Sequence, residues 1–132
     1  MPNANGATVT DVKVTKTASD IEEETIASNA AFDVVVNAEA GSNVFNAGGA
    51  YKVQMVATDY TNDFITANTQ TINGNFGDAN WPTQAPQLRF AVPAQGPGRE
   101  DHVYRAFAVL QAGNVDPIVD FEEGEIFVIT HP

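Results

Sequence analysis

Residues 100–111, EDHVYRAFAVLQ, form the stretch that decides how the rest of the chain is interpreted. An acidic pair precedes Tyr104, and a mostly apolar run follows it. Apolar side chains at every second position are typical of a β-strand. The pattern predicts a central strand over residues 102–111, entered from a tight turn. Because side chains alternate across a strand, one face should point into a core. That face carries Tyr104, Ala106, Ala108 and Leu110.

The chain has 132 residues, of which 43% are hydrophobic. This length allows one domain to bury a core, and the hydrophobic fraction is too high for a disordered chain. We therefore expect a single β-sandwich domain over residues 1–132, with residues 1–6 as a loose N-terminal end. The chain has no cysteine, which excludes disulfides, thiolate metal sites and cysteine nucleophiles.

Six basic residues face seventeen acidic ones, and the net charge is -11. Nucleic acids and anionic membranes attract Lys and Arg, so neither is an expected partner. No apolar run is long enough to span a membrane, and residues 1–10, MPNANGATVT, lack the pattern of a signal peptide. The compartment stays open: the chain is either cytoplasmic or a mature or excised extracellular domain.

Similar alternation recurs along the chain, with turn residues between the alternating segments. Residues 19–29 are interpreted as an acidic loop with room for one helical turn, and residues 41–50 as a loop. No segment shows a convincing helical period over more than two turns. The spacing predicts an all-β, antiparallel two-sheet β-sandwich of seven to eight strands. The predicted strands cover residues 8–17, 32–40, 51–60, 64–72, 87–92, 102–111, 118–125 and 125–130.

Residues 100–106, EDHVYRA, carry a resemblance. An acidic residue four positions before a tyrosine, at the start of a late strand, is similar to the tyrosine corner of immunoglobulin-like sandwiches. The resemblance implies that the Tyr104 hydroxyl bonds a backbone group a few residues upstream and that its ring packs in the core. Ala106 stands where antibody-type domains carry a cysteine, and residues 51–60 contain no tryptophan. A disulfide-bonded immunoglobulin domain is therefore not expected, and the architecture assigns no function.

The opposite face of the central strand is also apolar, and the last strand is apolar on both sides. In an immunoglobulin-like sandwich these two strands are neighbours in one sheet, so their outer face would carry an apolar surface. Antiparallel sheets normally show polar side chains to water. Candidate interface residues are Phe107, Val109, Phe127 and Val103.

Three explanations for this apolar face stay open. Residues 73–86 could fold over it as a lid, with Trp81 and Phe76 as the covering side chains. Another chain could cover it, because large apolar patches mark interfaces. The strand register could also differ from the one assumed.

Catalytic patterns are missing. Of the two histidines, His131 is next to the C-terminus, and His102 adjoins Asp101, which should point to the opposite face of a strand. The sequence contains no nucleophile elbow, P-loop or dinucleotide-binding glycine pattern. We expect no catalytic residues and no enzyme activity.

Two ligand types remain compatible with the residues. Calcium takes oxygen ligands, and the first-choice pair is Asp59 with Asp63. Weaker acidic groups are Asp78 with Asn80, and a cluster of Asp116, Asp120, Glu122 and Glu123. Sugars stack on exposed aromatic rings, and the candidates for that role are Trp81, Phe76 and Tyr60. The competing interpretation is that Trp81 plugs one end of the core.

The sequence therefore favours a non-catalytic module that acts through protein contact, either self-assembly or docking to another protein. The alternative is a ligand-binding β-sandwich module for carbohydrate, calcium or both, which would use Trp81 and the acidic loops. No cofactor is expected apart from that possible calcium. The expected partner is a protein, which includes a second copy of the chain, and neither nucleic acid nor membrane is expected.

Overall fold

The computed structural model describes residues 4–113 and 117–132. Within these residues the chain forms nine strands, one short α-helix and a 3-10 helix at Pro97–Arg99. No helix among them is long and apolar enough to cross a membrane. The elements are β1 (Ala7–Lys16), β2 (Thr25–Ala27), β3 (Phe32–Ala40), α1 (Ser42–Asn46), β4 (Ala50–Asp59), β5 (Ile65–Asn75), β6 (Gln87–Val92), β7 (Val103–Ala112), β8 (Ile118–Glu123) and β9 (Phe127–Thr130).

The strands form two sheets. The small sheet has the order β1-β3-β6, and the large sheet has the order β2-β9-β7-β4-β5. β8 and β9 pair with the same edge of β7: β9 pairs with Val103 and Tyr104, and β8 pairs with residues 107–112. All pairings are antiparallel except that of β2 with β9. The predicted all-β two-sheet sandwich is confirmed, with nine strands among the described residues rather than seven or eight.

The core lies between the sheets and follows the period-two pattern. The inward face of β7, from Tyr104 to Leu110, is buried as predicted. Contact between the sheets is visible in an edge-on ring pair, where Phe32 of β3 and Phe127 of β9 have centroids 5.6 Å apart. Each large apolar side chain buried in this way stabilises the fold by about 1.5–3 kcal/mol.

The acidic segment at residues 17–24 forms no helical turn. It lies against the outer face of the small sheet, where Arg89 donates to the Ser19 carbonyl and to Asp20, and Lys13 donates to the Asp20 carbonyl. Val35, which stands between Lys13 and Arg89 in register, is completely buried on this face. The segment then continues into β2, a strand that its polar composition did not indicate.

Residues 41–50, predicted as a loop, contain α1. The first amides of a helix have no partner within the helix. Here the Ala4 carbonyl accepts from the amides of Asn43 and Val44, so residues 4–6 lie against the start of α1. Val44 and Phe45 pack against the core.

Gly124 is the tight corner between β8 and β9. Its amide donates to the Ala106 carbonyl of β7 at 2.9 Å. A Cβ at this position would lie 2.5 Å from the Val12 carbonyl oxygen of β1, a backbone atom that cannot move aside cheaply. The absence of a side chain therefore lets β1 and this corner touch. β9 begins at Phe127 rather than at the predicted residue 125.

We expect Gly124→Ala to lower the free energy of unfolding by about 1–3 kcal/mol, because the added methyl group overpacks the contact with β1. Urea unfolding followed by circular dichroism measures this change. The matched control is Gly98→Ala, since a Cβ at Gly98 meets no atom within 4 Å. Equal destabilisation by both substitutions would contradict the prediction.

Candidate functional site

The outer face of the large sheet carries a contiguous apolar surface on β4, β7 and β8. In the strand register, Val56 is opposite Phe107, and Val109 lies between Gln54 and Phe121. The next outward position of β8 is Val119, which is opposite Gln111. We call this surface the outer-face patch, and it consists of Val56, Phe107, Val109, Val119 and Phe121.

Two residues of β8 are the most exposed members of the outer-face patch. Val119 is 59% exposed and Phe121 is 52% exposed, whereas the three patch residues of β4 and β7 are half-buried. The rings of Phe121 and Phe107 have centroids 5.3 Å apart. The patch is therefore a packed apolar ridge that nothing within the described residues covers completely.

Asp120 fixes β8, and with it the most exposed part of the patch, to the small sheet. Its Oδ2 accepts from Thr8 Oγ1 at 2.6 Å and from the Val9 amide at 2.8 Å. Burial by itself would raise the pKa of Asp120, but these hydrogen bonds outweigh it and hold the pKa below its usual value. Asp120 is thus a structural residue rather than a free calcium ligand, and Asp116 of the same acidic cluster lies outside the described residues.

Charges of both signs border the outer-face patch. Lys52 and Arg105 lie on the same face of β4 and β7, and Arg105 forms an ion pair with Glu123 at 3.4 Å. Two of the six basic residues of the chain therefore stand beside the patch. In contrast, Glu22, Glu23, Glu24 and Glu125 gather around a cleft beside β2 and β9.

The structure separates the four predicted interface residues. Phe107 and Val109 belong to the outer-face patch, and Val103 is half-buried near the start of β7. Phe127 was wrongly assigned to the outer face: it is in register with Tyr104, points inward and is 1% exposed. The last strand was apolar on both sides, so its pattern alone did not determine which side faces the core.

Val56, Val119 and Phe121 are the patch residues that the sequence analysis does not predict. The stretch 118–123, IVDFEE, lies within the predicted strand 118–125, but the sequence analysis predicts no interface on it. The alternation of Val119, Phe121 and Glu123 with Asp120 and Glu122 was the available signal for a strand with one apolar side.

Of the three explanations for the apolar face, the lid is wrong, because Trp81 and Phe76 lie inside the core. Trp81 is completely buried, and its ring centroid is 5.0 Å from that of Tyr51 and 4.9 Å from that of Phe76. The sugar-stacking roles predicted for Trp81 and Phe76 are therefore also wrong. Trp81 plugs one end of the sandwich.

Asp78 organises the loop that delivers Trp81. Its carboxylate accepts from the Tyr51 hydroxyl at 2.9 Å and from the Trp81 amide at 2.9 Å, and also from the amides of Asn75 and Asn80. Burial opposes the charged form of Asp78, but these donors outweigh it and lower its pKa. Burial, together with the hydrogen bond to this carboxylate, raises the pKa of Tyr51. This acid shapes a loop and has no spare oxygen aimed at a ligand.

Tyr60 is the one predicted stacking residue that reaches the surface. It is half-buried in the turn between β4 and β5, and its ring centroid is 5.1 Å from that of Phe64. Phe64, which sequence reasoning did not single out, is 70% exposed and has a φ of 59°. An aromatic residue in the left-handed region is strained, so this turn holds Phe64 outward at an energetic cost.

Asp59, the first-choice calcium ligand, is buried in an internal ion-pair network. Its Oδ2 lies 2.6 Å from Arg99 Nη1 and 2.7 Å from His102 Nδ1, and its Oδ1 accepts from the Asn62 amide. The prediction of Asp59 as a calcium ligand is therefore wrong. Asp63, the other member of the predicted pair, is exposed at the surface, whereas Asp59 is buried. Across residues 4–113 and 117–132, no group of three or more metal-ligating side chains is placed to hold an ion.

The same network surrounds Tyr104. The ring is buried as the resemblance implied, but its hydroxyl donates to the Gln95 side-chain oxygen at 2.8 Å rather than to the backbone. Arg99 lies 3.5 Å from the hydroxyl oxygen. The sequence correctly predicts that the Tyr104 ring is buried. It does not predict that the hydroxyl bonds Gln95, because Gln95 lies in the loop between β6 and β7, where no pattern indicates the path of the chain.

Comparison with known proteins supports the fold alone. No protein-family model matches the chain, and no curated protein matches it. A glycosyl hydrolase family 2 member from Bacteroides cellulosilyticus matches with a TM-score of 0.59 and 14% identity, over 93% of this chain and 15% of that chain. A putative β-galactosidase from Bacteroides fragilis has a TM-score of 0.53 and 13% identity, over 91% and 17%.

A DUF4466 family protein from Parabacteroides merdae also matches, with a TM-score of 0.54 and 11% identity, over 96% of this chain and 45% of that chain. The chain therefore spans less than half the length of each of these structures. At these identities the likeness establishes a β-sandwich fold and carries no activity over to this chain.

The lowered pKa of Asp59 predicts acid sensitivity. Burial by itself would raise this pKa, but the hydrogen bonds from His102 and Arg99 outweigh burial and hold it below its ordinary value of 3.8. The stabilisation is therefore present above that value and is lost as the pH falls through the lowered pKa. We expect Asp59→Asn to cost about 3 kcal/mol near neutral pH, because it leaves Arg99 without its buried partner.

Urea unfolding at a series of pH values measures this effect. The difference between Asp59→Asn and the native chain should begin to shrink below pH 3.8, where unfolded Asp59 becomes protonated, and should be smallest below the lowered pKa of folded Asp59. Asp63→Asn is the matched control, because Asp63 is an exposed acid of the same turn. A difference that stays constant down to the lowest pH would contradict the prediction.

Proposed function

We propose that this chain is a non-catalytic protein-interaction module that self-associates through the outer-face patch. The observation that carries the proposal is the exposure of Val119 and Phe121 beside Phe107, on a sheet face that normally shows polar side chains. Single exposed apolar residues are ordinary, but a contiguous patch is typical of an interaction surface.

The local charge balance of the outer-face patch allows a second copy as the occupant. Two chains that each carry -11 repel one another over most of their surface. Around the outer-face patch, Lys52 and Arg105 offset Glu123, so this region of the face lacks the acidic excess of the molecule. Apolar contact at the centre of such a face can therefore form with less like-charge repulsion than contact near the acidic cleft.

The placement of the histidines supports a non-catalytic role. His102 is engaged with the buried Asp59, and His131 lies near Glu100 and Asp101 at the surface. The described residues around them include no serine or threonine nucleophile in hydrogen-bond contact with either ring. A histidine that activates a serine or threonine nucleophile must come within hydrogen-bond reach of it.

We expect Phe121→Ser to weaken self-association by at least about tenfold, because truncating a central aromatic side chain removes a large share of the contact energy. Light scattering over a concentration series measures the dissociation constant. The matched control is Ile21→Ser, since Ile21 is 71% exposed in the segment on the small sheet, away from the patch. A native chain that stays monomeric at every concentration would refute the proposal, as would an equal effect of both substitutions.

A ligand-binding module is the second candidate, and it now depends on Tyr60 and Phe64. The strained, exposed Phe64 ring beside Tyr60 is the observation that favours it. A galactoside is the first probe, because a putative β-galactosidase is among the structures that share the fold.

We expect titration with a galacto-oligosaccharide to shift the ring signals of Tyr60 and Phe64 in NMR spectra, and Phe64→Ala to abolish the shifts, because sugar rings stack on aromatic faces. Trp81 signals serve as the internal control, since Trp81 is buried. Shifts that are absent, or that survive Phe64→Ala, would remove this candidate.

A further inference from the structure

We infer that the free edge of β5 pairs with β5 of a second copy, so that the large sheet continues from one chain into the next. This inference deepens the proposed self-association but uses a different surface and a different observation. The outer-face patch lies on β4, β7 and β8, whereas the edge of the sheet is the backbone of β5.

β5 is an edge strand with little of the usual protection: one bulge skips Ala67, and residues 68–75 then pair with β4 without interruption. It has 11 residues, ITANTQTINGN, with no charged residue and no proline. Within the described residues it pairs with β4 alone. Exposed edges are normally blunted by charges, proline, bulges or short length, because an open edge is a template for another strand.

The other edge strands carry that protection. β1 has charged residues at Asp11, Lys13 and Lys16, a bulge near Val9, and a bridge from Thr15 to Glu22. β6 has six residues that include Arg89 and is followed directly by Pro93, and β2 has three residues. β8 carries the acidic side chains of its sequence IVDFEE. β5 is thus the long, uncharged exception in a chain of net charge -11.

The alternation of hydrogen-bonded and non-hydrogen-bonded residue pairs between β4 and β5 identifies the backbone groups of β5 that point to the free edge. The Phe76 amide donates to the Gly49 carbonyl, which continues the β4–β5 ladder. In antiparallel pairs, residues bonded to the partner strand alternate with residues whose N–H and C=O point the other way. Gln70 and Ile72 therefore bond to β4, and the backbone groups of Thr69, Thr71 and Asn73 point to the free edge.

These free groups are self-complementary. In an antiparallel pair centred on a two-fold axis at Thr71, each Thr71 exchanges both backbone bonds with its counterpart, and Thr69 does the same with Asn73 of the other copy. Threonine pairs across strands are favourable, and no like charges meet. A second copy therefore satisfies the edge without placing like charges opposite each other in the paired strands.

Two self-complementary surfaces on one chain give larger assemblies than dimers. Pairing at the outer-face patch alone, or at β5 alone, closes a dimer. Both together build a tetramer or an open string of copies. The size of the assembly therefore reports which of the two surfaces is in use.

The test compares four chains by sedimentation and light scattering: the native chain, Phe121→Ser, Thr71→Pro and the double variant. Proline at Thr71 removes an edge amide that does not bond to β4, so the native ladder is kept. We expect the native chain to exceed a dimer, each single variant to stop at a dimer, and the double variant to be a monomer. Thr71→Val, which keeps the amide, is the matched control and should behave as the native chain.

The outcomes separate the two proposals. If Thr71→Pro leaves the mass unchanged while Phe121→Ser yields monomers, the β5 inference is overturned and the patch proposal stands. The reverse result overturns the patch proposal and supports β5 pairing, and a monomeric native chain overturns both. If circular dichroism shows that Thr71→Pro does not fold, Thr71→Lys replaces it, because a lysine on the edge keeps every native hydrogen bond.

Amide hydrogen exchange adds a readout within the native chain. Exchange at Thr69, Thr71 and Asn73 should slow as the protein concentration rises, whereas exchange at Gln70 should stay slow throughout. Concentration-independent exchange at the first three amides would overturn the inference.

Discussion

The structure depends on β7, which is hydrogen-bonded on both sides and presses every second side chain against the small sheet. Tyr104 contacts Phe127, and Phe127 contacts Phe32 of the opposite sheet, so one chain of rings joins the two layers. The same alternation that buries this row sends Phe107 and Val109 outward. β7 is apolar on both faces. Its inward residues therefore contribute to the core, and its outward residues Phe107 and Val109 contribute to the outer-face patch.

Two carboxylates, the buried Asp59 and the half-buried Asp78, hold opposite ends of β4. Asp59 neutralises Arg99 beside Tyr104 at one end, and Asp78 gathers amides around Trp81 at the other. Buried charges are tolerated because each has several donors. These acids and aromatics are the residue types that also build ligand sites, and here their hydrogen-bonding and stacking capacity is used within the fold.

Net charge limits where two copies can meet. A chain with seventeen acidic and six basic residues repels its own kind except where charge is balanced or absent. The outer-face patch is bordered by Lys52, Arg105 and Glu123, and the β5 edge has no charge at all. Apolar burial would supply the contact energy at the first surface and backbone hydrogen bonds at the second.

The amino-acid sequence by itself determined the fold class, most strand positions and the inward face of β7, because period-two alternation records which side of a strand is buried. The absence of cysteine also excluded cysteine chemistry, and the net charge of -11 argued against a nucleic-acid partner. Tertiary structure decided the rest. Phe127 faces inward because its register with Tyr104 selects one side of a strand that is apolar on both. Trp81 and Asp59 are structural because distant residues, Tyr51 and Arg99, come to meet them. Such contacts join residues that are far apart in the sequence and produce no periodic pattern along it. They can therefore be identified only from the packed structure.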